Sequence, residues 1–247
     1  MVVANHYAKL LGITVVHGNA PLTRTLPNAL ISCDVFGINA PVFAGAERPL
    51  IAPPRNAPHI HGESGLGGPE LPPVTRTAEK THAVEAIIEL VRKHEGDGVW
   101  LMPLGPLTNI ALALRMAPDL GKRIAGISLM GGGTLHGNRA PHAEFNIWAD
   151  AEAAASVFEA GFKNVLMVPL DATHKALVTA AQCDALAALG TPAGKAAAIF
   201  IQRRVASYES SQKMDVPESA PVHDALCVAA LVEPDIITTK RCHVAVE

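Results

Sequence analysis

An imidazole and a carboxylate stand side by side at His223 and Asp224, directly before the apolar run ALCVAALV. The pair is therefore predicted at the start of a helix, with both side chains pointing away from the core. Asp224 could be a hard oxygen ligand for Ca²⁺ or Mg²⁺, and His223 beside a metal-bound substrate could act as a general acid. Asp224 could equally be an N-cap or a first-turn charge that the helix dipole favours. The pair alone does not decide between these readings.

A second group of candidate residues lies in HAEFNIWAD, residues 142–150. A carboxylate, an aromatic ring and an amide follow one another there at Glu144, Phe145 and Asn146. The residues before it look like a loop, and AEAAASVFEAG after it looks like a helix. Any polar residues would serve in a solvent-facing loop, so folding alone does not explain this choice. The trio becomes a site only if other segments supply partners.

Single polar residues elsewhere have simpler explanations. For His17, we favour a loop-end histidine with a satisfied hydrogen bond. Asn19 follows Gly18 and, taken alone, would be a turn residue with a left-handed backbone. Asp150 stands where a helix N-cap is expected, before AEAAA.

Short apolar runs alternate with segments of helical period along most of the chain. Gly37 is the expected stop of one helix, and Thr81 is the expected cap of another. The predicted strands are 11–19, 40–45, 98–105, 124–133 and 164–174, and the predicted helices are 22–37, 81–96, 107–118 and 150–161, with a mainly helical remainder. Because the strands are apolar without alternation, they predict an α/β fold: a mostly parallel, Rossmann-like open sheet with helices on both faces.

Ligands of such sheets gather at the carboxyl ends of the strands. Polar and glycine-rich residues follow the predicted strands at 17–19, 104–105, 130–133 and 171–174. The trio of Glu144, Phe145 and Asn146 lies in the loop that leaves one of these ends, so it can reach the same surface. A long Pro- and Gly-rich segment, 48–77, is typical of a binding loop or lid.

Composition excludes several classes of function. The 247 residues carry a formal charge of −3, which gives no basic field for nucleic acid or anionic membranes. No apolar run approaches the roughly 20 residues of a membrane helix, and no secretory signal is visible. The four cysteines, at 33, 183, 227 and 242, are too widely spaced for a zinc motif and are expected to be buried thiols. A reducing, cytoplasmic location fits best.

Several motifs of known chemistry are absent from the sequence. The GGG at 131–133 does not continue as G-x-G-x-x-G, because position 136 is His. There is no G-x-x-x-x-G-K-[ST], no H-E-x-x-H and no G-x-S-x-G. Triphosphate binding, zinc-protease and serine-hydrolase chemistry are therefore disfavoured.

Taken together, the polar clusters resemble the inosine–uridine nucleoside hydrolase family, the nucleoside N-ribohydrolases. The resemblance spans nearly the whole chain and keeps the family's order. It is carried by GITVVHGNAPL, PVFAGAERPL, HGESGLGG, PLGPLTNIALAL, LMGGG, AEFNIWADAEAA and HDALCVAAL. It implies the nucleoside hydrolase fold, hydrolysis of the N-glycosidic bond of a ribonucleoside to ribose and free base, and a Ca²⁺ ion that binds the ribose hydroxyls and the attacking water.

The resemblance also implies roles for individual residues. Glu144 and Asn146 would hold the ribose, with Asn19 as a further sugar contact and with Met130 and Phe145 as apolar walls. His61 would lie in a loop that can close over the site, and His223 would protonate the leaving base. Asp224 would bind Ca²⁺ through its side chain, and Leu104 through its backbone carbonyl. A homodimer or homotetramer is the assembly expected from the family.

One departure from the family pattern is large. The family's Asp-rich signature, D-x-D-x-G-x-D-D, does not occur in the 247 residues. We therefore expect residues 1–247 to be a single nucleoside hydrolase domain that lacks the N-terminal Asp-rich strand and loop and the C-terminal strands. With one carboxylate left, such a chain should bind calcium and nucleoside poorly and hydrolyse little.

Two further hypotheses remain open from the sequence. The chain could be a catalytically dead relative that binds a ligand or pairs with an active subunit. A generic α/β nucleotide-binding enzyme is a third reading, disfavoured by the missing phosphate-binding glycine motifs.

Overall fold

The computed structural model describes residues 8–66, 73–212 and 214–247, so positions 67–72 of the predicted binding loop lie outside the described residues. The strands are β1 (Ile13–Val15), β2 (Val42–Ala44), β3 (Trp100–Leu101), β4 (Gly126–Met130), β5 (Val165–Val168), β6 (Leu177–Thr179) and β7 (Ser219–Pro221). The helices are α1 (Leu22–Phe36), α2 (Pro58–His61), α3 (Ala83–Lys93), α4 (Thr108–Met116), α5 (Leu120–Arg123), α6 (Phe145–Ala149), α7 (Ala151–Phe158), α8 (Leu170–Thr173), α9 (Ala180–Ala188), α10 (Pro192–Ser211) and α11 (His223–Val232), followed by a 3-10 turn at Pro234–Ile236.

The strand pairing is mostly parallel. Strand β1 pairs with β2, and β4 lies between β3 and β5, all in parallel register. Strands β6 and β7 form an antiparallel pair. The predicted α/β class is therefore confirmed, although the described strands form two parallel sheets and one antiparallel pair rather than one continuous sheet.

Burial of both faces of strand β4 explains why its sequence is an almost unbroken apolar run. Ile127 and Leu129 point into the core formed with α3, α4 and α7. The alternate residues face the other way, where Met130 packs with Cys227 and the Ser128 hydroxyl donates to the Cys227 carbonyl. Side chains of a strand alternate between its two faces, so both faces of β4 are covered by helices, as in other parallel sheets.

Helix ends agree with the sequence at some positions and differ at others. Gly37 ends α1 with φ of 63°, as expected for a left-handed C-cap. The cap of α3 is His82 rather than Thr81, because the His82 ring accepts the Val84 N–H. The helix predicted from 150 is preceded by a separate short helix, α6, which begins at Phe145.

Asp150 joins α6 to α7. Its Oδ1 accepts the Ala153 N–H, which confirms the predicted N-cap. Its Oδ2 accepts the Leu50 N–H and the Thr108 hydroxyl. Because the Thr108 hydroxyl donates to Asp150, it accepts from Nε2 of His17 at 3.0 Å. The predicted satisfied histidine is therefore only half right, since Nδ1 of His17 is buried without a partner among the described residues.

One other expectation was wrong in part. Cys242 is exposed, whereas the other three cysteines are buried thiols as predicted. None of the described helices combines the length and the apolarity that a membrane crossing needs.

Candidate functional site

A cavity of about 400 Å³ opens where β1, β3 and β4 end. Its size is typical of small-molecule sites, and its position agrees with the general rule for parallel sheets. Every site residue that the sequence predicts lines it: Asn19, His61, Leu104, Met130, Glu144, Phe145, Asn146, His223 and Asp224. Segments more than 200 positions apart in the chain, such as Asn19 and Asp224, therefore meet at one cavity.

Glu144 has a structural task that the sequence did not reveal. It is the N-cap of α6, where its Oε2 accepts the N–H groups of Asn146 at 2.9 Å and Ile147 at 3.3 Å. The same oxygen accepts the Gly132 N–H at 3.2 Å. Burial raises the pKa of the carboxyl, and the backbone donors oppose that rise. Because these bonds end on Oε2, Oε1 is the oxygen that could accept from a ligand hydroxyl.

Asn146 is held on the floor of the cavity. Its Nδ2 donates to the Met130 carbonyl at 3.0 Å and lies 3.3 Å from the Met130 sulfur. Both residues are buried, so neither the amide nor the thioether turns freely. Phe145 is fixed beside them, because its N–H donates to the Asn138 side chain at 2.9 Å. The trio therefore forms a rigid wall rather than a flexible loop.

The opposite rim comes from three segments. The Asn19 carbonyl accepts the Ala57 N–H at 2.9 Å, which ties the end of β1 to α2. Asn19 is not the left-handed turn residue that its position after Gly18 suggests, since Glu218 is the one described non-glycine residue with positive φ. His61 ends α2, and burial together with nearby arginines lowers its pKa to about 4. Leu104, which follows β3, is partly exposed towards the cavity.

Both ring nitrogens of His223 are hydrogen-bonded to hydroxyl groups. Its Nε2 lies 2.9 Å from the Tyr208 hydroxyl, and its Nδ1 lies 2.7 Å from Oγ1 of Thr173. With the Thr173 hydroxyl donating to the Leu170 carbonyl at 3.4 Å, we assign the proton of the His223 ring to Nδ1, which then donates to Thr173. Nε2 then accepts from Tyr208. This tautomer follows from the donor pattern.

Burial lowers the pKa of His223 to about 3, and the neighbouring His174, Arg204 and His61 contribute in the same direction. The imidazole is therefore neutral at pH 7. A neutral ring in this tautomer directs its N–H at Thr173 rather than into the cavity. The general-acid role of His223 stays a prediction, and it would require proton transfer through Tyr208 or a different ring state.

Asp224 lies in the first turn of α11, whose N-cap is Val222, so it is not the capping residue. Asp224 is solvent-accessible and borders the cavity. Desolvation by the surrounding protein raises the pKa of its carboxyl group to about 7, Glu144 contributes in the same direction, and Arg204 opposes the rise. A carboxylate in such surroundings favours a bound cation or a proton.

The oxygen ligands at hand do not amount to a calcium site. Ca²⁺ takes six to eight oxygen ligands, whereas Asp224 and the Leu104 carbonyl supply two candidates on this wall. Across the described residues, no three His, Cys, Asp or Glu side chains are arranged to hold a metal ion. The Glu144 carboxylate is already engaged by backbone N–H groups. The described donor set therefore does not fit Ca²⁺ by itself.

Among the polar cavity residues that the sequence does not predict are Asn138, Arg139, Arg204 and Tyr208. Asn138 and Arg139 immediately precede the trio, and their proximity in the chain was the signal that could have found them. Arg139 lies over the Phe145 ring, with its Cζ 5.1 Å from the centroid. Arg204 and Tyr208 lie one helical turn apart on α10, a helix without a recognisable motif.

Comparison with known proteins gives one family. The family model described as inosine-uridine preferring nucleoside hydrolase matches residues 1–247. The chain is 42% identical over 248 residues to the pyrimidine-specific ribonucleoside hydrolase RihB of Escherichia coli (strain K12 / DH10B). That similarity covers 100% of this chain and 78% of the relative.

Solved structures agree with this family. The fold superposes with a TM-score of 0.93 on a purine-preferring ribonucleoside hydrolase from Gardnerella vaginalis, which is 33% identical and is covered over 78% of its length by 100% of this chain. A plant nucleoside hydrolase, PpNRh1, gives a TM-score of 0.85 at 28% identity, covering 94% of this chain and 72% of the plant chain.

Proposed function

The chain belongs to the inosine-uridine preferring nucleoside hydrolase family, whose reaction is hydrolysis of the N-glycosidic bond of ribonucleosides, and we propose that the cavity described above is where this reaction takes place. The observation that carries the proposal is the meeting of Asn19, Glu144, Asn146, His223 and Asp224 at one cavity. Family similarity along the whole chain favours a hydrolase over a catalytically dead relative.

In this proposal the pentose lies on the wall formed by the trio. Oε1 of Glu144 accepts from a ribose hydroxyl, and Asn146 and Asn19 make further sugar contacts. Met130 and Phe145 are the apolar walls against the ring. The support is geometric, since Glu144 and Asn146 are locked by the backbone of α6 and by the Met130 carbonyl. Rigid placement of polar groups lowers the cost of orienting a substrate.

The base lies at the other end of the cavity, towards His223. Loss of the base leaves an oxocarbenium-like ribose, as in glycoside hydrolysis, and water completes the reaction at C1′. His61 closes the cavity from α2. Asp224 and the Leu104 carbonyl would be two oxygen ligands of a Ca²⁺ ion, which would make a bound water more acidic. Two ligands are too few to hold the ion.

The test is release of ribose and free base. The chain is incubated at high protein concentration with uridine, cytidine and inosine, and reducing sugar and base are measured over time. Asn146→Ala should reduce the release by at least about 100-fold, because a positioning contact is removed. Asn164→Ala is the matched control, since Asn164 is exposed and its side chain donates to the Ala125 carbonyl outside the cavity. Equal release from both variants would refute the proposed site.

Two further expectations are part of the proposal. We propose a homodimer or homotetramer in solution, which light scattering of the purified chain can test. We also propose a cytoplasmic location, which fractionation of the source cells can test. Both rest on the family resemblance and not on a feature of the cavity.

A further inference from the structure

Two arginines of the cavity, Arg139 and Arg204, have no role in the assignments above, and Arg204 contacts the tyrosine that is hydrogen-bonded to His223. Arg204 lies on α10 and lines the cavity together with His61, Tyr208 and His223. Its Nη1 donates to the Ile60 carbonyl at 3.4 Å, and its Cζ lies 5.1 Å from the centre of the Tyr208 ring. The guanidinium is therefore held at the end of the cavity where His223 lies.

Among the residues that the structure describes, no salt bridge with Arg204 is found, although its charge interacts through space with the Asp224 carboxylate. A guanidinium at a cavity wall without a salt bridge can pair with an oppositely charged ligand. An anionic ligand, or a ligand that becomes anionic during the reaction, would compensate its charge.

The neighbouring His223 imidazole is poorly placed to donate a hydrogen bond to an anionic ligand. Both ring nitrogens of His223 are engaged by hydroxyl groups, and its N–H is directed at Thr173. The Arg204 guanidinium is a charged hydrogen-bond donor at this end of the cavity. Arginine keeps its charge at every pH at which the protein is folded, and it presents several N–H groups in one plane.

We propose that Arg204 hydrogen-bonds the leaving base and stabilises the negative charge that the base acquires as the glycosidic bond breaks. The inference rests on the proposed function of this cavity. In the step, the C1′–N bond breaks and its electron pair stays on the base, whose ring nitrogen and neighbouring carbonyl share the charge. The water oxygen bonds to C1′ and its proton goes to solvent, from which the departed base takes up a proton.

This assignment gives the base end a fixed positive charge in place of a proton donor. Preorganised charges aimed at developing charge are effective because they need no rearrangement during the reaction. It also explains why the cavity holds a guanidinium beside a neutral imidazole. The ligand class that Arg204 recognises is an acidic N–H heterocycle in its anionic form.

The test compares an anionic base analogue with a neutral base and requires no turnover. 5-Nitrouracil, which is an anion at pH 8, and uracil, which is neutral there, are titrated calorimetrically into the 247-residue chain. We expect the wild type to bind the anion at least about tenfold more tightly, as one charge-assisted hydrogen bond would give. Arg204→Gln should remove this preference, and Arg204→Lys should keep part of it.

Arg203→Gln is the matched control, because Arg203 is the preceding residue on α10, is exposed and does not line the cavity. It should bind both compounds as the wild type does. Thermal unfolding of each variant checks that it is folded. The inference is overturned if the wild type shows no preference for the anion, or if folded Arg204→Gln keeps the preference. Failure of the proposed function is a separate result, seen as absent base release from nucleosides.

Discussion

The Glu144 carboxylate accepts the backbone N–H of Asn146 at 2.9 Å, so the two polar members of the trio are parts of one helix cap. This bond joins the start of α6 to the cavity wall, and the Gly132 N–H joins the same carboxylate to the end of β4. In the proposed binding mode, folding and ligand binding therefore depend on different oxygens of one side chain. Substitutions of different size should separate the two tasks.

Glu144→Gln should keep most of the stability, because its amide oxygen can still accept the backbone N–H groups. Glu144→Ala should lower the free energy of unfolding by about 1–2 kcal/mol through loss of the cap. Both variants should lose nucleoside hydrolysis. Urea denaturation and base-release assays on the same samples measure the two effects. A Glu144→Gln protein that is as stable and as active as the wild type would contradict the assignment of Oε1 to the sugar.

Asp150 offers a contrast, because its task is structural. It accepts from Ala153, Leu50 and Thr108, and the whole residue is buried. Asp150→Ala should lower the free energy of unfolding by about 2–4 kcal/mol, since several donors lose their acceptor. Denaturant titration measures the loss. At temperatures where the variant is folded, its affinity for nucleoside should match that of the wild type, and a selective loss of binding would be unexpected.

The pKa of His61 predicts how acid affects stability. Its folded-state pKa of about 4 lies below the 6.5 of an unperturbed histidine, chiefly because of burial and then because of Arg204 and Arg139. Between these values the unfolded chain binds a proton that the folded chain does not, so stability falls as the pH drops from 6.5 towards 4. His61→Gln should lose less stability over this interval than the wild type.

Urea midpoints at pH 7.5, 5.5 and 4.5 measure this difference. Other buried histidines contribute in both proteins, so the comparison isolates His61. His243→Gln, at an exposed position, is the control and should follow the wild type. Identical pH profiles for His61→Gln and the wild type would show that His61 is not buried as described.

Calcium affinity follows from the number of ligands. Because Asp224 and the Leu104 carbonyl are far short of the six to eight oxygens that Ca²⁺ takes, we expect a dissociation constant weaker than about 0.1 mM for the 247-residue chain. Isothermal titration with CaCl₂ measures it, and Asp224→Asn should weaken the residual binding further. Micromolar binding by the wild type would mean that the ligand set described here is incomplete.

Much of the fold could be predicted because apolar runs and glycine stops are local signals. The strand at Gly126–Met130 is buried on both faces, and such strands read as continuous apolar runs. Asp150 as a cap and Gly37 as a stop are equally local. By contrast, α6 has only five residues, too few for a helical period, so the sequence predicts a loop at Glu144 rather than a helix cap.

Some residues of the candidate site could also be predicted from local sequence, whereas others could not. His223 and Asp224 could be predicted because a histidine and an aspartate directly precede an apolar run. Arg204 and Tyr208 were not visible, because an arginine and a tyrosine on a polar helix look like surface residues until the fold brings that helix to the cavity. The bond between His223 and Thr173 spans 50 positions and depends on how α8 and α11 pack.

We propose that one cavity holds the pentose against Glu144 and Asn146 with the base towards His223 and Arg204. A crystal structure of the chain soaked with millimolar uridine would show where the nucleoside binds. We expect electron density for the sugar within hydrogen-bond distance of Glu144 and Asn146 and for the base beside Arg204. Density for the nucleoside at another surface, or in this cavity with sugar and base exchanged, would contradict it.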